Sequence, residues 1–124
     1  MNRHQQRLKL MVAIYQYLLL NKDINDVAED IKTDDMSINE YFYDILATIY
    51  DNEETLINMI DDKLSDWNYH RLGYIEQAIL LLGSVEIIFM HYDKAIVIDE
   101  AVLMAKEYCD DETYKLINGV LDKL

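Results

Sequence analysis

Not one proline occurs in this chain of 124 residues, and only three glycines do. These two residues most often end helices and shape tight turns, so their scarcity leaves few places for the reversals that β-hairpins need. The apolar residues recur at three and four rather than at two, the spacing of one face of an α-helix. An all-α fold follows. Leu8, Met11, Val12, Tyr15, Leu18 and Leu19 form the stripe of a first helix. A short second helix is predicted around Ile24, Val27, Ala28 and Ile31, ended by Thr33-Asp34-Asp35. Ser37 and Glu40 have the capping-box spacing, in which each side chain satisfies the other residue's free backbone N–H. A third helix is predicted there, with Ile38, Phe42, Ile45 and Ile49 facing inward.

Asp51-Asn52-Glu53-Glu54 sets a cap and negative charge where a helix dipole is positive, which predicts a further start continuing through Leu56, Ile60, Leu64 and Trp67. Arg71 to His91 is the most apolar segment, and a helix apolar nearly all round belongs at the centre of a core. Asp93 breaks it. Ile98, Ala101, Val102, Ala105 and Tyr108 mark a sixth helix, and Asp110 and Asp111 are predicted to cap a last one carrying Tyr114, Ile117, Val120, Leu121 and Leu124. No linker or low-complexity tract divides these segments, so residues 1–124 are expected to form a single helical domain.

The net charge of −13 argues against an all-over nucleic-acid-binding surface, because phosphates repel an acidic one. Its distribution is uneven. Of the 11 basic residues, Arg3, Arg7, Lys9 and Lys22 stand in the first 22 positions with no acid among them, which leaves seven basic residues against all 24 acids in the remainder. A basic arm on an acidic body suits a protein that touches RNA at one edge. The apolar run Leu10–Leu20 is too short to cross a bilayer, and the lone Cys109 has no partner for a disulfide, so a soluble cytoplasmic protein is expected.

Catalytic signatures are lacking. No phosphate-cradling glycine loop, HExxH, GxSxG or calcium-loop pattern occurs, and His4, His70 and His91 have no second ligand at helical spacing, so neither an enzyme nor a metal or cofactor site is expected. The acid pairs Asp34-Asp35, Asp61-Asp62 and Asp110-Asp111 fall near helix ends, where capping explains them. Cys109 has no basic neighbour to activate it and is read as a small apolar residue.

Three segments in the second half carry a family resemblance. Lys115-Leu116-Ile117-Asn118-Gly119-Val120-Leu121-Asp122-Lys123 resembles the K-F-[VI]-N-G-V-L-D-K ending of NusB proteins. Val97-Ile98-Asp99-Glu100-Ala101-Val102 with Ala105-Lys106 is similar to their V-I-N-E-A-[VI]-E-L-A-K, and Trp67, Arg71-Leu72 and Ile75 to Leu80 to their W-x-x-x-R-L-x-x-[VI]-[ED]-[RK]-A-I-L. The resemblance implies a NusB-like fold of about seven helices in two packed helical bundles. It further implies an antitermination factor that binds single-stranded boxA-type RNA together with the ribosomal protein NusE, within an RNA polymerase antitermination complex serving ribosomal RNA operons. Neither DNA nor a membrane is implied as a partner.

Carried over position by position, the RNA side falls on Arg3, His4, Arg7, Glu112, Lys115 and Leu116, and the NusE side on Tyr15, Glu76 and Glu86. Arginine forks onto phosphates and stacks on unpaired bases, while glutamates suit a basic ribosomal protein. Two departures imply weaker RNA binding: Gln5, Gln6 and Leu8 dilute the arm, and Leu116 stands where an aromatic is common. With about three phosphates contacted, the salt slope for single-stranded RNA would be about −2. An interaction module tied to ribosomal RNA modification, without direct RNA contact, is the alternative. Gly119, in mid-helix, is expected to let a neighbouring helix approach closely.

Overall fold

A computed structural model describes Met1–Leu124, and every regular element in it is helical. Six α-helices occur: α1 (Arg3–Leu20), α2 (Ile24–Asp30), α3 (Met36–Lys63), α4 (Tyr74–Ser84), α5 (Lys94–Tyr108) and α6 (Thr113–Asp122). The count is six rather than about seven because two helical segments join across a kink at Asp51-Asn52, where the sequence predicted a further start. The backbone of Asn52 is non-helical (φ −126°, ψ 19°), and its side-chain amide donates to the Thr48 carbonyl at 2.9 Å, so α3 continues through the kink. A short 3₁₀ turn, Tyr69–Arg71, precedes α4, and a π-helical turn, Val85–Phe89, extends it.

Capping explains most boundaries. Asp23 and Asp93 accept first-turn N–H groups of α2 and α5. The cap of α3 is Asp35, which accepts from Ser37 N and Oγ at 3.0 and 2.8 Å; those bonds hold its carboxyl below the usual value. Ser37 therefore lies inside the helix, two residues past its cap. Nor do Asp110 and Asp111 cap α6, which begins at Thr113 without a side-chain cap. At the other end of α3 the chain leaves the helix at Leu64, and Asp66 adopts a left-handed conformation (φ 64°). The turn carries Trp67 out of the expected helical stripe and leaves it 55% exposed.

α1 to α3 pack as one group and α4 to α6 as another. Both share a cluster of 27 buried residues, with α4 between α1 and α6. Ile38, Phe42, Ile45 and Ile49 are buried as their spacing predicts. The inward stripe of α1 lies one position round from the expected one: Arg7, Leu10, Met11 and Ile14 are buried, whereas Val12 and Leu19 are 45% and 44% exposed.

Directions decide which side chains meet. Arg7 near the start of α1 reaches Glu86 past the end of α4, so these two helices are antiparallel. Gly83 near the end of α4 faces Leu121 near the end of α6, so those two run together. Close approach depends on Gly83, not on Gly119: a Cβ on Gly83 would stand 2.9 Å from Leu121 Cδ1, and one on Gly119 would meet nothing within 4 Å. The expectation for Gly119 is thus corrected. Lys94 closes the bundle by donating to the carbonyls of Asp122 and Leu124 at 2.6 and 2.9 Å. Start of α1, end of α4 and end of α6 lie together, and the starts of α4 and α6 lie at the other end.

Candidate functional site

Eight of the nine residues assigned by resemblance divide between these two ends, and Tyr15 lies between them, midway along α1. At the first end, the Arg7 guanidinium forks onto Glu86, with Nε 3.0 and 3.1 Å from the two carboxylate oxygens and Nη2 2.8 Å from one of them. The side chains are 7% and 1% exposed. Burial by itself would lower the affinity of Arg7 for its proton, but the hydrogen bonds and charge of Glu86 outweigh it and leave the guanidinium more firmly protonated than usual. The π-helical turn sets this geometry: Met90 N bonds to the Val85 carbonyl and Tyr92 N to that of Glu86, both at 3.0 Å. Arg7 and Glu86, expected to face different partners, thus face each other inside the protein.

Their neighbours are engaged as well. His4 Nδ1 lies 2.6 Å from Glu100 Oε2, and the exposed Arg3 sets its guanidinium 3.8 Å from the centre of the Tyr41 ring, with Tyr92 at 5.9 Å. The basic arm is the first part of α1, folded onto the body. Tyr15 is half-buried midway along α1 and packs against the core.

At the second end, Glu112, Lys115 and Leu116 at the start of α6 face Glu76 of α4 across a cleft of about 610 Å³. The Gly73 N–H donates to Glu76 Oε2 at 2.5 Å, half of a capping box that aims the carboxylate at the cleft mouth. Lys115 Nζ lies 2.7 Å from Glu112 Oε2, with the two side chains 62% and 78% exposed. Such a pair in water contributes about 0–1 kcal/mol, so either partner exchanges readily for a ligand group. Trp67, expected on the helical stripe of Leu56, Ile60 and Leu64, and Arg71, given no role in the sequence, complete the walls. The Cys109 thiol behind them is pushed up to about 11, first by burial and then by the carboxylates of Glu76 and Asp110. No three His, Cys, Asp or Glu side chains converge to hold a metal ion, and no helix is long and apolar enough to cross a membrane. The cleft can bind cations at Glu76, anions at Lys115 and Arg71, and flat apolar groups at Trp67.

Known proteins share this architecture. The model of the NusB family matches residues 4–124. The transcription antitermination protein NusB of Sulfurovum sp. (strain NBC37-1) is 37% identical over 125 positions, covering 98% of this chain and 96% of its own. NusB of T. maritima superposes with a TM-score of 0.91 at 26% identity, over 99% of this chain and 89% of that one. A chain from a crystal structure of antitermination factors NusB and NusE in complex with dsRNA superposes with a TM-score of 0.82 at 27% identity, over 99% and 96% of the two chains.

Proposed function

Since this chain belongs to the NusB family, we propose that it is a transcription antitermination factor that binds single-stranded boxA-type RNA jointly with the ribosomal protein NusE. It acts in the cytoplasm, within the RNA polymerase antitermination complex, and sustains transcription of ribosomal RNA operons. One observation carries this reading: the cleft in which Glu112, Lys115 and Leu116 stand opposite Glu76. An exposed lysine and a half-buried glutamate lining the same cleft let one edge hold RNA phosphate while the other holds a basic protein. The solved complex of NusB and NusE with dsRNA supports the same pairing of partners.

The division of labour differs from the one the resemblance implies. Lys115 and Leu116 make the main RNA contact, and Glu76 the NusE contact. Arg3, exposed at the other end, and His4 beside it add a secondary RNA contact. Arg7 and Glu86 are positioning residues that hold α1 on the body, because a buried bidentate pair cannot turn outward without leaving its partner uncompensated.

Retention of a boxA-type RNA, measured with and without NusE at low salt, tests the proposal. NusE is expected to raise retention, and Lys115→Ala to lower it severalfold. If NusE gives no enhancement, the proposal fails. A second reading, an interaction module associated with ribosomal RNA modification and without RNA contact, draws on the engagement of Arg3 and Arg7. It prevails if an Arg3→Ala, Lys115→Ala variant captures RNA in the ternary complex as well as the unaltered protein does.

A further inference from the structure

Basic residues are scarce outside α1, and their placement is not even. Of the seven beyond Lys22, four line two adjoining clefts that share Lys115 and Leu116: Arg71 in the first, of about 610 Å³, and Lys63 and Lys123 in the second, of about 300 Å³. Of the chain's 24 acids only Glu76, Asp110 and Glu112 line either cleft. Glu76 is bonded to the Gly73 N–H, and Glu112 to Lys115. A body with a large acidic excess therefore keeps one continuous groove in which that excess is reversed.

Two further features suit an extended polyanion. Gly119 lies on the floor of the second cleft with open space where a Cβ would stand, so a strand can approach the α6 backbone there. Trp67, the only tryptophan, is 55% exposed at the far mouth, held out by the turn at Asp66 and beside the exposed Arg71. An aromatic platform at the end of a basic groove is the arrangement by which proteins hold unpaired strands: bases stack on the ring while phosphates follow the cations. The exposed ion pairs of Lys63 with Asp62 and of Lys115 with Glu112 are weak enough to exchange for phosphates.

We infer that this groove is a single-stranded RNA track, in which a base stacks on Trp67 and the backbone runs past Arg71 and Lys115 to Lys63 and Lys123 over Gly119. The inference rests on the proposed RNA-binding function and extends it to four residues outside the sites that the resemblance implies: Lys63, Trp67, Arg71 and Lys123. RNA then lies along the outer face of α6 rather than across the start of α1.

The single tryptophan makes the test direct. A fluorescein-labelled, unstructured RNA of about a dozen nucleotides, a length within the range of single-strand sites, is titrated into the full chain with NusE. Label anisotropy reports binding and Trp67 emission reports stacking. Binding is expected to quench Trp67, and a double-stranded RNA of the same length is expected to leave it unquenched. Trp67→Ala should weaken binding about tenfold, at the lower end of the effect of removing one base–aromatic stack, with Trp67→Phe restoring most of it. Lys63→Ala with Lys123→Ala should lower the salt slope by about 0.7 for each phosphate that is no longer neutralised. Anisotropy that shows binding while Trp67 emission stays constant and these variants bind normally overturns the track and leaves the RNA-binding function standing. Absence of binding at any salt concentration overturns both.

Discussion

Where α1 begins, Arg7 and Glu86 are 7% and 1% exposed and close a forked bond; where α6 begins, Lys115 and Glu112 are 62% and 78% exposed and touch through a single one. The first pair has been withdrawn from water, so its strength goes into holding the helices together. Separation of that pair strands a charge. The second stays solvated and separates easily, which a residue that must take up and release a ligand requires. Charge near a terminus is therefore a poor guide to a binding surface. Exposure and the strength of existing partners decide it.

The largest effect expected from this contrast is on stability. Glu86→Ala leaves the Arg7 guanidinium buried and unpaired, and should cost about 3–5 kcal/mol in urea unfolding. Glu112→Ala should change stability by no more than about 0.5 kcal/mol, as exposed substitutions do. Replacing Arg7 and Glu86 together by apolar residues of similar volume should recover most of the loss, because no lone charge remains. A Glu86→Ala chain as stable as the original would show that Arg7 finds solvent, and would reopen it as an RNA contact.

Next come the two glycines on either side of the α4–α6 packing. Gly83→Ala sets a methyl group against Leu121 and should destabilise by about 1–3 kcal/mol through overpacking. Gly119→Ala meets open space within a helix and should stabilise by about 0.5–1 kcal/mol, the ordinary gain of alanine over glycine there. Opposite signs in thermal denaturation confirm that α6 is packed tightly against α4 and open on its outer face.

The smallest effect concerns Cys109 behind the cleft. Burial and the nearby Glu76 and Asp110 carboxylates raise its thiol to about 11, so the neutral form dominates at physiological pH. Alkylation should be slow near neutrality and accelerate about tenfold per pH unit until that value is approached, since the thiolate is the nucleophile. Glu76→Gln should advance the onset to lower pH. Fast labelling at neutral pH would show that the thiol is not shielded from water, and an onset unmoved by Glu76→Gln would show that Glu76 does not face it.

Much of the fold was legible because burial imposes a period on a helix: Ile38, Phe42, Ile45 and Ile49 line the core where their spacing puts them. Interruptions were harder. The cap signal at Asp51-Asn52 does mark a junction between two helical segments, but one that keeps the chain running on through a kink rather than a turn. Trp67 looked like a core residue because its type says nothing of the turn that the chain makes just before it.

The site was half legible. The family resemblance brought Glu76, Glu112, Lys115 and Leu116 to notice, and they do share one cleft. Arg7 and Glu86 lie 79 positions apart, and nothing local links them. A signal existed all the same: Arg7 continues the buried stripe Leu10, Met11 and Ile14 at three and four positions' spacing, and Glu86 continues Ile79 and Leu82 in the same way. A charged residue in phase with a buried stripe has to find a partner inside, because buried charges are paired.

The proposed RNA contact lies at the start of α6 rather than at the start of α1, and one experiment compares the two ends directly. RNA retention in the presence of NusE is measured for a cleft variant, Lys115→Ala with Leu116→Ala, and for an arm variant, Arg3→Ala with His4→Ala. The cleft variant should lose about tenfold in affinity and show a shallower salt slope by about 0.7, while the arm variant should lose about threefold or less. A larger loss from the arm variant, with the cleft variant binding normally, would contradict this placement.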